Sequence, residues 1–170
     1  MIYHPRDPSD RIDQGDMING CPILTIGRFD RQDPANPAAG CTLSRVVVLT
    51  QACDLAQGKA SRAVVAVCYP AQQVIDDGAL KPSEVKGPVR AARVYGWYFL
   101  PAHAAYGIPE LLVDLRQIHT VEVGVLVELC RDGNRNAGLA TPYREHLAKN
   151  FAATYSRIGL PEPYQTEQPA

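Results

Sequence analysis

Apolar and polar positions divide the chain into many short β segments and one long helix. Residues 45–50, Arg-Val-Val-Val-Leu-Thr, form a β-branched run without alternation, which predicts a strand buried on both faces. Residues 63–69 predict a second strand. The polar stretch 51–61, with Gly58, reads as the turn of a hairpin between them. Upstream, the apolar positions of 17–26 are interrupted by Asn19-Gly20 and Pro22, predicting one or two short strands around a turn. Residues 1–14 read as a loose polar arm, and 28–40 as a long loop. Two short helices around Gly78 and Pro82 are expected within 71–93. An aromatic strand follows at 96–102, GWYFLPA, then short strands at 111–115, 117–121 and 123–129, and a turn-rich break at 132–138. Short strands separated by turn residues indicate a mainly β, α+β fold, a small barrel or rolled sheet.

The helix is predicted over 142–158. Thr141 is placed to cap it, Pro142 suits its first position, and Gly159 with Pro161 ends it. Tyr143, Leu147, Phe151, Thr154 and Ile158 share its apolar face. Residues 15–160 then form one domain, with 161–170 a disordered tail.

Composition narrows the class. The 170 residues are 46% hydrophobic, enough for a real core, and carry a net charge of −1. Bulk charge therefore selects neither nucleic acid nor membrane, although a local basic patch is compatible with it. The N-terminus has no apolar signal segment, and no stretch approaches the length of a spanning helix. A cytoplasmic protein is the expectation. Cys21, Cys41, Cys53, Cys68 and Cys130 are odd in number and widely spaced, as free thiols are.

Two stretches carry candidate chemistry. TQACD, residues 50–54, lies where the strand 45–50 ends. Cys53 there has the setting of a nucleophile if a base reaches it, and His146 is the best base; Thr50, Gln51 and Asp54 would line that site. The plain alternative is a small packed thiol with Asp54 capping a turn. The run Tyr143-Arg144-Glu145-His146 places Arg144 and His146 on the flanks of the helix stripe, offering a cation and an acid/base beside Glu145. Against it stands an ordinary amphipathic helix with solvated flanks. No cofactor motif is present, and no closely spaced ligand pair points to a metal. Trp97, Tyr98 and Phe99 fit a barrel core better than a base-stacking platform.

Gly15-Asp16 ahead of a strand, Arg45-Val46-Val47-Val48-Leu49-Thr50 after a loop, and the strand at 64–67 together resemble the core of MazF/PemK-like proteins. Those are SH3-like barrels, many of them endoribonuclease toxins. The resemblance spans roughly residues 15 to 70 and implies a MazF-like barrel whose motif arginine, matched by Arg45, contacts the scissile phosphate. Val46 stands where the family has proline, and Cys68 follows the second strand where the family has Ser or Thr. TQACDL with TPYREHL and RIGLP also resembles a group of uncharacterised bacterial proteins. Three functions follow as expectations. The first is a MazF-like protein that binds or cleaves RNA or another nucleic acid, with Arg45 on phosphate and Arg144 and His146 assisting. The second is a non-catalytic binding module, and the third a cysteine-dependent enzyme using Cys53 and His146. A second copy of the chain is also admitted as a partner, and a membrane is not.

Overall fold

The structure, a computed structural model, describes residues 1–28, 31–35 and 37–156. Seven strands form one antiparallel sheet: β1 (Tyr3–His4), β2 (Asp16–Arg28), β3 (Ala38–Val48), β4 (Arg62–Pro70), β5 (Trp97–Leu100), β6 (Leu111–Glu122) and β7 (Arg135–Leu139). Their order across the sheet is β1-β7-β2-β3-β4-β6-β5. The helices are α1 (Ala52–Ala56), α2 (Ala71–Asp76), α3 (Pro82–Glu84), α4 (Val123–Arg131) and α5 (Tyr143–Tyr155). Among the described residues no helix is long and apolar enough to cross a membrane.

The predicted hairpin is present, with Val46, Val47 and Val48 opposite Val67, Ala66 and Val65. The unalternating run is explained by its two faces. Val46 and Val48 enter one core with Ile18, Val65, Leu126 and Cys130, while Val47 and Leu49 enter the other with Met17, Ala66, Leu115 and Leu147. Burying a side chain of this size contributes about 1.5–3 kcal/mol, so β3 anchors both layers. The second core also holds Tyr3 from one edge of the sheet and Tyr98 and Leu100 from the other. Side chains from both edge strands thus enter one core, and the Tyr3 hydroxyl donates to the Pro101 carbonyl at 2.7 Å.

Several segments differ from the sequence expectation. The region 17–26 is one long strand, kinked by an irregularity between Ile18 and Cys21. Gly20 sits in that kink at φ +65°, a backbone a side chain would strain. The expected loop 28–40 is shortened from both sides by β2 and β3, and the turn 51–61 contains α1. Residues 111–115 and 117–121 are one strand, β6. Residues 123–129 are helical, because Leu126 and Cys130, four apart, cover the β2–β4 face. The break at 132–138 contains β7. Residues 71–93 do hold two short helical pieces, the second continuing through a wide turn at Val85–Val89.

Nor is the segment 1–14 loose. β1 pairs with β7, and the His4 ring lies so close over Gly138 that an added Cβ would stand 2.7 Å from its Nε2. Arg135, buried in β7, donates to the carbonyls of Asp7, Asp10 and Arg11 and to Asp16 Oδ2 at 2.9 Å. Asp16 also accepts from the Asp13 amide, and Arg6 makes a further ion pair with it at 3.2 Å. The arm is thus tied to the body through one buried carboxylate. At the other end, α5 starts after Pro142, with Leu147 and Thr154 buried and Phe151 half-buried. Thr141 makes no capping bond to the backbone; its hydroxyl donates to Glu145. The predicted end at Ile158 and Gly159 and the tail 161–170 lie outside the described residues.

The five cysteines divide sharply. Cys21, Cys68 and Cys130 are buried, whereas Cys41 and Cys53 are exposed. Alkylation of the folded protein is expected to add to Cys41 and Cys53 alone, and denaturation to open the other three, as intact mass would show. A buried thiol that reacted as fast as the exposed pair would contradict this packing.

Candidate functional site

The residues singled out in the sequence fall into three local sets. Arg45 forms the first. It stands where β3 leaves solvent and enters the core, and it is half-buried. The kink in β2 aims Asn19 at it, so Nε donates to Asn19 Oδ1 at 2.6 Å, with a longer contact to the Gly107 carbonyl at 3.5 Å. Asn19 is itself fixed by its amide on the Asn134 carbonyl. Arg45 opens on a groove of about 420 Å³ whose polar lining is Asn19, Thr42, Ser44, Tyr69 and Gln73. No carboxylate lines that groove, and no ion pair to Arg45 is formed among the described residues. Burial pushes the Cys68 thiol, at its floor, up to about 12 despite the nearby Arg45 charge. Burial also raises the Tyr69 hydroxyl, helped by Asp114 and Cys68.

The second set is the start of α5. Arg144 donates to Asp13 at 3.2 Å and to Glu145 at 2.9 Å. Glu145 is held below the usual carboxylate range by its own backbone N–H, then by Arg144. Both charges of this run are therefore already matched. His146 Nδ1 shares a hydrogen bond with the Tyr98 hydroxyl at 3.1 Å, beside a groove of about 350 Å³ lined by Ile2, Arg90, Phe99 and Tyr143. Burial pushes Tyr98 up to about 12, so it remains a neutral phenol. This groove shares no lining residue with that of Arg45.

The third set is TQACD. Thr50 Oγ1 accepts the Val64 amide at 2.6 Å, which joins the two strands of the hairpin. Gln51 precedes α1, and the exposed Cys53 thiol donates to Gln51 Oε1 at 3.7 Å and to Asp54 Oδ1 at 3.8 Å. No hydrogen bond or ion pair among the described residues joins Cys53 or Asp54 to Arg144 or His146. The structure therefore gives the thiol two local acceptors and the imidazole a tyrosine, rather than each other. A nucleophile needs its base within hydrogen-bond reach.

Trp97 and Tyr98 are buried, and Trp97 lies under the Arg116 guanidinium at 4.6 Å. Sequence reasoning missed Asn19, which orients Arg45, and the buried Asp16–Arg135 pair. Asn19-Gly20 did carry a signal, since the same dipeptide that marks a turn also marks a strand kink. No protein-family model matches the chain, and no curated protein is similar to it.

Proposed function

We propose that the protein is a MazF-like barrel that binds the backbone of single-stranded RNA at Arg45 and does not cleave it. One observation carries this reading: Arg45 is a half-buried guanidinium, oriented by Asn19, with no carboxylate in its groove. A planar fork held in that way is suited to two phosphate oxygens. Thr42, Ser44, Tyr69 and Gln73 supply neutral donors along the same groove. The resemblance gives Arg45 the position of the family's phosphate-contacting arginine. Cleavage would need a proton acceptor beside that phosphate. Cys68 and Tyr69, the titratable neighbours, are both raised by burial and stay protonated near neutrality. With RNA as partner, the cytoplasm is the place of action.

Fluorescence anisotropy with labelled single-stranded RNA, repeated over stepped salt, tests the reading. Arg45→Ala should weaken binding about 10–100-fold, the worth of a hydrogen bond to a charged group. It should also flatten the slope of log affinity against log salt by about 0.7, one phosphate on a single strand. Unchanged affinity in Arg45→Ala would sink the assignment, and shortened RNA on a gel would sink the non-cleaving part.

A further inference from the structure

The RNA reading leaves the second groove unused. It lies where β5, the start of α5 and the wide turn at Val85–Val89 come together. Its volume of about 350 Å³ is at the low end for a small-ligand site. Three aromatic side chains, Tyr98, Phe99 and Tyr143, stand in its walls, with Leu100 and Pro101 between them and α5.

Two unusual backbone features sit on its rim. Val85–Val89 winds as a π-type turn with Pro88 inside it, and turns of this type are rare and gather at functional sites. Ala92, three residues on, holds φ +53° and is the one non-glycine residue in the left-handed region among those described. Strained backbone of this kind clusters at ligand clamps and active sites. Val89 and Ala92 both line the groove.

The polar groups define what fits. Arg90 carries the one formal charge in the lining, and that charge is already matched. It pairs with Glu110 and lies over the Phe99 ring at 4.3 Å. No carboxylate lines the groove. The Tyr98 phenol is buried and has no other acceptor among the described residues, so it donates to His146 Nδ1 at 3.1 Å. The imidazole proton then sits on Nε2, which makes no hydrogen bond among the described residues. Tyr98 thus fixes both the ring's orientation and its tautomer.

We propose that this groove binds a small, uncharged aromatic molecule bearing a carbonyl, such as an aromatic amide. The ligand ring packs among Tyr98, Phe99 and Tyr143, and its carbonyl accepts from His146 Nε2. A carboxylate in the same place would find the nearest cation held by Glu110, so its desolvation would go uncompensated. An RNA strand is disfavoured on the same ground, because its phosphates need an unmatched cation.

Benzamide is the probe, titrated into the full isotope-labelled chain and followed by backbone amide shifts. A fragment of this size should saturate with a dissociation constant of about 1–10 mM. The shifts should gather at residues 89–92, 98–101 and 143–146. Benzoate, which adds a charge, and cyclohexanecarboxamide, which lacks the aromatic face, should each bind at least roughly fivefold more weakly. Tyr143→Ala and His146→Leu should each weaken benzamide about 3–10-fold. The comparison of the three probes is read on the unsubstituted protein, so it holds even if a variant disturbs folding. Arg45→Ala should bind benzamide as the unsubstituted chain does, since the two grooves share no lining residue. No saturation by about 30 mM, equal binding of benzoate or cyclohexanecarboxamide, or shifts centred elsewhere would each overturn the proposal. So would unchanged affinity in both folded groove variants, or displacement of benzamide by single-stranded RNA.

Discussion

Asp16→Ala should cost about 3–5 kcal/mol of folding stability, because it strands the Arg135 guanidinium in the interior. Asp16 and Arg135 are both about 1% exposed, and they meet at 2.9 Å. Burial pushes the Asp16 carboxyl up, opposed by the Asp13 amide, Arg6 and Arg135, so its charge persists only through those partners. Arg135→Met should cost a similar amount. It should also release the segment that Arg135 holds by the carbonyls of Asp7, Asp10 and Arg11, making it the first site of proteolysis. The double variant should lose less than the sum of the two, since no uncompensated partner is left within the pair. Urea titration of the four proteins measures this directly. Additive losses would mean that the pair does not act as a unit.

The second large effect is alkaline. Burial pushes Cys21 and Cys130 up to about 11 and Cys68 up to about 12, from an ordinary 9.0. Their pKa values are raised in the fold, so the stability tied to these thiols is fully present below pH 9. It drains as pH climbs toward their folded values. Around pH 10 the unfolded chain has lost most of the three thiol protons that the folded protein keeps. Each such group costs about 1.4 kcal/mol per pH unit, or roughly 4 kcal/mol per unit for three. A domain stable by about 5–15 kcal/mol exhausts its reserve within a few units. Urea midpoints under reducing conditions should therefore fall steeply above pH 9, and Cys68→Ala should make the fall about a third shallower. A flat profile from pH 9 to 11 would mean that the thiols are not buried in the folded state.

The hairpin of β3 and β4 was legible because two burial faces impose a run that little else can adopt. The 123–129 segment was misread for the opposite reason. VGVLVEL is so rich in apolar residues that periods of two and of 3.6 both fit, and only the β2–β4 face, far away in sequence, selects the helix. The segment 1–14 looked loose because its composition is polar. What orders it is Arg135, more than a hundred residues on, inside a stretch whose glycines and asparagines suggested only a turn. The same limit governs the site. Arg45 was picked out by the family resemblance, at the head of an expected strand, but Asn19 acts on it from across a ladder. Cys53 and His146 made chemical sense as a pair, and tertiary structure gave each a different neighbour.

The core shared by both edge strands also fixes an order of birth. The hairpin of β2 and β3 is local and can close as soon as it is made. Tyr3, by contrast, pairs with Leu139 and donates to Pro101, so its place does not exist until β7 has been synthesised. At about 5–20 residues per second that is a wait of roughly 6–30 s on the ribosome. Throughout it the first-made residues are the last to be housed. A nascent chain halted short of Arg135 would carry a formed hairpin beside a beginning that has nowhere to go.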